Sequence, residues 1–260
     1  MRKLIVFVFI GILLIPVMSV EAASIGGAET QGQGKLSAGI DQEIVFDRDM
    51  KLKSMSPDSG TQISNAKFDE MYRTDAKISY GVFDNLDIYI KLGVADFKTE
   101  EEWINTTPNN GTIKDKTKNA FMYGAGLKGT ILLEDDWLFG ADIQYLRHRN
   151  KYNGRIDNQT SPADSEDISG KMTVQEWHVA PYIAKKLDNF IPYLGVKYSD
   201  VRIKDKYDTS SGSMEEKREA DDNVGIFIGT DYTINDNWKF NLEGRFIDET
   251  AMSLGVACNF

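Results

Sequence analysis

Cysteine is almost missing from this chain of 260 residues: Cys258 stands alone. That excludes an internal disulfide framework and any multi-thiolate metal site within one copy. Histidine is nearly as scarce, so imidazole chemistry rests on His148 and His178. Beyond the N-terminus no apolar run is long enough to cross a bilayer as a helix, and the mean hydropathy is −0.37. A helical membrane protein is excluded. Proline is also sparse, 6 residues, yet aromatics reach 11%, which argues against a disordered acidic chain. With 30 basic against 40 acidic residues the net charge is −10, so no nucleic acid is expected as a partner. The length fits one domain or at most two.

What is present begins with a leader. Arg2 and Lys3 precede an almost uninterrupted apolar stretch from Leu4 to Val20, and Ala22 and Ala23 offer small residues for cleavage. Residues 1–22 read as a secretory signal peptide and 23–260 as the folded domain.

Four acidic turns then recur at Asp84-Asn85, Asp135-Asp136, Asp188-Asn189 and Asp236-Asn237, spaced by 51, 53 and 48 residues. Each is followed by an alternating apolar segment, as in Leu86-Asp-Ile-Tyr-Ile-Lys-Leu and Trp238-Lys-Phe-Asn-Leu-Glu. A period of two means strand, and Asp and Asn tolerate the backbone angles that hairpins need. Between consecutive turns lie two strands and one long polar segment. These segments, near 47–68, 98–118, 152–171 and 205–221, carry no apolar periodicity and read as long loops. Four such loops are foreign to a compact soluble domain but suit a barrel with short turns on one rim and long loops on the other. Ten strands are expected near 35–45, 70–81, 86–97, 119–132, 137–150, 172–185, 192–203, 223–234, 238–247 and 250–260, with a single short external connection at Asp248-Glu249-Thr250.

One parity of each strand is apolar, for example Leu86, Ile88, Ile90, Leu92 and Val94. The other is charged, and its members are Arg73, Asp75, Lys77, Asp87, Lys91, Lys128, Asp142, Glu176, His178, Lys197, Asp231, Lys239, Glu243 and Arg245, together with Asp41 and Glu43. Glycines alternate with these charges, as at Gly126 and Gly229, which suits a crowded lumen better than a solvated exterior. Aromatic residues gather at strand ends: Tyr80, Trp137, Tyr193 and Trp238 beside the turns, and Phe97, Tyr145, Trp177 and Phe246 toward the loops. Such residues form interfacial girdles. The apolar parity is therefore expected to face lipid and the charged parity the lumen, where acids and bases nearly balance and pair across a plugged or very narrow barrel. The chain ends with Met252, Leu254, Val256, Cys258 and Phe260, apolar at every second position.

With that ending, the leader and the turn-and-loop alternation, the chain resembles bacterial outer-membrane β-barrel proteins of the small opacity-like and OmpA-membrane-domain type. The resemblance spans the mature chain and lies in pattern rather than in a family-specific motif. It implies an all-β fold, a ten-stranded antiparallel up-and-down transmembrane barrel with short periplasmic turns and long extracellular loops. It implies that the terminal strand is read by the barrel-assembly machinery, and that the surroundings are outer-membrane lipid and lipopolysaccharide. Cys258 falls in the lipid-facing set and reads as a small hydrophobe.

Few residues are placed for catalysis. A protease of the omptin type needs paired acids and an Asp-His pair at the external mouth. His148 lies between Arg147 and Arg149, cations expected to depress its pKa, with no carboxylate at the required spacing. His178 follows Glu176 by two, mid-strand. Neither has a serine two positions on, as lipid A deacylation would need. The acidic stretches Glu100-Glu101-Glu102, Glu215-Glu216 and Asp221-Asp222 lack a spaced calcium-loop motif and read as solvated loop. No enzyme, cofactor or metal is expected. The expected function is structural or surface-interacting, with the loops meeting an unknown extracellular ligand; the alternative is a narrow passive channel for small solutes.

Overall fold

The computed structural model describes residues 25–260 apart from 57–61, 105–109, 211 and 236; the leader read at 1–22 lies outside the described residues. Twelve antiparallel strands make one sheet. They are β1 (Leu36–Ser56), β2 (Gln62–Phe83), β3 (Leu86–Ile104), β4 (Asn110–Thr117), β5 (Ala120–Leu132), β6 (Trp137–Asn158), β7 (Glu166–Lys185), β8 (Phe190–Thr209), β9 (Gly212–Ala220), β10 (Val224–Thr233), β11 (Trp238–Phe246) and β12 (Thr250–Asn259).

The turns form where the acidic dipeptides stand. Asp135, Asp136 and Asp188 adopt positive φ of 55°, 61° and 51°, a region where Asp and Asn are enriched. Asn235 Oδ1 accepts from the amides of Asn237 and Trp238, both at 3.0 Å. We call the end that carries these turns the lower end.

Following hydrogen-bonded neighbours from β1 leads back to β1 by two routes. In the lower section the order is β1–β2–β3–β5–β6–β7–β8–β10–β11–β12–β1. In the upper section β4 stands in place of β5, and β9 pairs with both β8 and β1, so the order is β1–β2–β3–β4–β6–β7–β8–β9–β1. The upper route leaves out β10, β11 and β12.

The long loops expected near 47–68, 98–118, 152–171 and 205–221 are corrected by this arrangement. Most of their residues are strand: β1 runs on to Ser56, β3 to Ile104 and β8 to Thr209, and β4 and β9 lie wholly inside them. Apolar periodicity is weak there because the inward positions mix Trp103, Ile113, Ile168 and Tyr207 with buried acids. Bulges also break the period of two, between Val45 and Asp47 on β1 and between Phe68 and Glu70 on β2. A bulge adds one residue and exchanges the faces beyond it.

In the lower section Lys91 is 0% exposed while Ile90 beside it is 47% exposed. The apolar parity faces out and the charged parity faces in. Two of the expected girdle residues are corrections: Tyr193 and Phe97 are buried, 2% and 1% exposed, because each shares the inward parity of its strand, with Lys197 on β8 and Lys91 on β3. Tyr80, Trp137, Tyr145, Trp177 and Phe246 are exposed, and Trp238 is half-buried. At the C-terminus Met252, Leu254 and Phe260 are exposed and Val256 and Cys258 half-buried.

Candidate functional site

The interior is filled in three tiers. The lowest is made by the chain itself. Residues 25–34 precede β1 and turn into the ring instead of away from it. Gly26 and Gly27 take positive φ, 66° and 94°, and a Cβ on either would collide with Lys77 or Asp231. Lys128 Nζ donates to the carbonyls of Ile25 at 2.6 Å, Gly26 at 3.2 Å and Gly27, and Lys77 Nζ donates to Ile25 at 3.2 Å. The Ala28 amide donates to Asp231 at 2.7 Å, and Tyr182 Oη to the Ala28 carbonyl at 3.1 Å. Glu29 meets Lys186 and Lys239 at 2.7 and 2.8 Å, and the Gln31 amide meets Asp87. Beside this plug remains a cavity of about 40 Å³ lined by Asp41, Tyr89, Asn241 and others, a size that suits water.

The middle tier is a charge network. Asp142 accepts from Tyr89 Oη at 2.7 Å and lies 3.1 Å from His178 Nε2. Lys91 stands 3.5 Å from Asp41 and 3.9 Å from Asp75. Above them Arg73 bridges Glu43 at 2.9 Å and Glu176 at 2.6 Å. Arg245 joins Glu43 and Glu249 and approaches Glu243 to 3.6 Å. Arg48 reaches Glu249 at 2.9 Å, and Lys197 pairs with Asp248 at 3.0 Å and with Glu249. Tyr193 Oη donates to Glu243 at 3.0 Å. The rings of Tyr89 and Tyr193 lie where a Cβ would project from Gly126 and Gly229, so those glycines make room for lumen aromatics.

Every residue of the expected lumen set is thus inward; Lys239 is half-buried and the other thirteen are buried. The pairing includes three members that periodicity does not reveal. Arg48 lies past the β1 bulge, in what reads as loop. Asp248 and Glu249 read as an external connection, yet they are 3% and 4% exposed. With β9 hydrogen-bonded to β1 above it, the short β11–β12 hairpin ends low in the wall and turns its two acids inward toward Arg48, Lys197 and Arg245.

The upper tier is apolar. Phe68, Met71, Phe97, Met172, Val174, Val201, Ile203 and Tyr207 pack together, with Phe68 and Phe97 edge to face at 5.1 Å. Inside it sits Arg218 with four acids: Glu101 at 2.8 Å, Asp205 at 3.8 Å, Glu216 in contact, and Asp115 nearby. Tyr152 donates to Asp205 at 2.9 Å. Burial pushes Glu101 up to about 8 and Asp115 and Asp205 up to about 7, against the pull of Arg218. The acidic runs are therefore divided by strand alternation. Glu101 and Glu216 go inside, whereas Glu215 faces out to Lys204 and Lys206 at 2.7 and 2.8 Å.

Neither histidine reaches the upper mouth. His148 is buried, hydrogen-bonded to Asn150 at 2.6 Å and packed on Phe97. Its pKa is pushed down to about 4 by burial first and by Arg73 second. The cause expected from sequence is corrected, because Arg147 and Arg149 have the outward parity. Among the described residues no cluster of three or more His, Cys, Asp or Glu has the arrangement of a metal site.

No family model matches the chain, and no curated protein matches its sequence. Solved structures do. The outer membrane protease OmpT from Escherichia coli superposes with a TM-score of 0.56 at 11% identity, covering 86% of this chain and 95% of that one. The translocator domain of the autotransporter NalP from Neisseria meningitidis gives 0.43 at 11% identity, over 87% and 88% of the two chains. The Ralstonia pickettii toluene transporter TbuX gives 0.41 at 10% identity, over 88% and 89%. At 11% identity the likeness to OmpT is one of fold, an antiparallel β-barrel.

Proposed function

We propose that this chain is a non-enzymatic integral protein of a bacterial outer membrane. In this reading the lower section is a closed ten-stranded transmembrane barrel, and the upper section stands above the membrane and presents its tips as a contact surface. The observation that carries the reading is the polarity of the lower section. Outward residues from Trp137 to Tyr145 on β6, and their counterparts on neighbouring strands, form an apolar band, and nine residues match a tilted membrane-crossing strand. Charged side chains fill the inside of the same band. In a water-soluble barrel the two faces would be exchanged.

A passive channel is the second reading, and the interior opposes it: plug, charge network and apolar core lie in series along the axis. Proteolysis is opposed by the burial of both histidines away from the mouth. In this reading the N-terminal plug and the short turns face the periplasm, the arrangement of a barrel whose short turns and termini lie on that side.

The test is reconstitution. The folded protein is expected to migrate faster than its boiled form on gels in detergent, and to give no reproducible conductance steps in planar bilayers. Loss of heat-modifiable mobility would overturn the membrane reading. Steps that shift on Lys91→Gln would replace the sealed barrel with a channel.

A further inference from the structure

The outer wall just above the apolar band is not uniform in charge. On β1 to β3 the outward residues there mix the acids Asp47, Asp49, Asp69, Glu70 and Asp96 with Lys67 and Lys98, and Lys98 is paired with Glu70. On β6 to β8 cations outnumber acids; Asp200 on β8, which accepts from Trp177 Nε1 at 3.1 Å, is paired with Arg202 at 2.7 Å. Arg147, Arg149 and Lys151 succeed one another at every second position of β6, directly above Tyr145. Across the ladder Lys151 stands opposite Lys171, and Lys171 opposite Lys206. Lys118 joins the same row: its backbone amide donates a hydrogen bond to the Lys151 carbonyl at 2.8 Å.

Like charges directly opposite each other destabilise a sheet, and here they recur across four neighbouring segments of a chain whose net charge is −10. Lys206 is relieved by Glu215. Among the described residues, Arg147, Arg149, Lys151 and Lys171 form no ion pair. Beneath the row lies what an amphiphile would need next. Exposed Tyr145 and Trp177 stand at the level where headgroup meets acyl chain; Gln175 donates to Tyr145 at 3.1 Å and Trp177 stacks on Tyr198 at 5.4 Å. Exposed Ile143, Ile183 and Leu194 follow below.

We infer that the β6–β7 face binds a phosphorylated lipid of the outer leaflet. Arg147, Arg149, Lys151 and Lys171 hold its phosphates, Tyr145 and Trp177 flank its glycerol or sugar region, and the aliphatic band receives its acyl chains. This deepens the membrane reading proposed above and rests on it. Arg147 and Arg149 suit the task because a guanidinium can grip phosphate through two hydrogen bonds.

The experiment is native mass spectrometry on the full chain, folded in detergent and titrated with diphosphorylated lipid A, dephosphorylated lipid A or inorganic phosphate. Diphosphorylated lipid A is expected to bind at least about tenfold more tightly than the dephosphorylated form. The quadruple variant R147Q/R149Q/K151Q/K171Q is expected to lose that preference. The variant K51Q/K53Q/K67Q/K98Q, which removes as much charge from the opposite wall, is expected to keep it. Equal binding of both lipids, an unaffected quadruple variant, or competition by inorganic phosphate at matched concentration would each overturn the lipid site. Heat-modifiable mobility is measured on every sample. A protein that keeps it and fails to bind refutes this site alone, whereas a protein that lacks it refutes the membrane reading.

Discussion

The two sections of this molecule share six strands and one pattern of alternation, and they distribute side chains in opposite ways. Below, aliphatic residues such as Ile88 and Ile90 face out and Lys91, Asp142 and Arg245 face in. Above, Lys114, Lys116 and Arg155 face out, and Phe97, Trp103 and Met172 face in. The backbone is the same in kind; on the membrane reading proposed above, the surroundings differ. A strand surrounded by hydrocarbon must hide its charges from lipid, and a strand surrounded by water must hide its apolar groups from water. The interior differs in consequence: ion pairs fill the lower section, and in the upper one apolar packing surrounds a single buried cluster of Arg218 with its acids. Strand number differs as well, ten neighbours around the lower route and eight around the upper, because β9 passes over the short β11–β12 hairpin to reach β1.

Variants can break or sharpen this contrast. The largest effect is expected from Glu249→Ala, which leaves Arg48, Lys197 and Arg245 each short of a buried partner. A loss of about 3–5 kcal/mol should appear in urea unfolding of the vesicle-inserted protein. A loss below about 1 kcal/mol would show that water can substitute for the network. Phe97→Ala should cost a similar amount, about 3–5 kcal/mol, but through the upper core. Hydrogen exchange should therefore rise in β4 and β9 and not in β11 and β12.

A smaller and more direct comparison sets arginine at two outward positions. Ile90→Arg places a charge in the proposed lipid band and should cost about 2–4 kcal/mol. Thr112→Arg, outward in the upper section, should lie within about 0.5 kcal/mol of the parent. Equal costs at the two sites would remove the distinction between lipid-facing and water-facing strands.

The upper section should also respond to pH. Glu101, Asp115 and Asp205 titrate near 8, 7 and 7 when folded, above their ordinary values of 4.5 and 3.8. A folded pKa that is raised contributes stability at low pH and loses it as pH climbs through the folded value. The section is therefore expected to hold more firmly at pH 6 than at pH 9, by up to about 1.4 kcal/mol per pH unit for each proton released. Opening free energies of β4 and β9, from exchange corrected for intrinsic rates, measure this. Asp115→Asn with Asp205→Asn should flatten the dependence. The smallest effect is expected from Lys53→Ala, which removes an exposed pair with Glu219 and should change stability by less than about 0.5 kcal/mol.

How much is legible in sequence follows the same division. The strands of the lower section, their parity and their inward charges can be read directly, because their outward face is an unbroken apolar row that shows as period two. The upper strands read as loops, since a row of Lys, Glu and Asn outside and a few aromatics among acids inside leave no such row. Phe97 and Tyr193 read as girdle residues for a related reason: an aromatic at a strand end looks the same whether it faces lipid or a core. The plug at residues 25–34, short and glycine-rich, carries no periodic signal at all.

By itself, then, the sequence determined the class of fold, the acidic turns and the parity of the lower strands, because alternation along a strand is a local property of the chain. Only the tertiary structure decided which strands meet. The pairing of β9 with β1 places Asp248 and Glu249 beside Arg48. The return of the first residues into the ring places Ile25 against Lys77 and Lys128. Contacts between residues so far apart in the chain depend on how the sheet comes round upon itself, and neither composition nor periodicity records that.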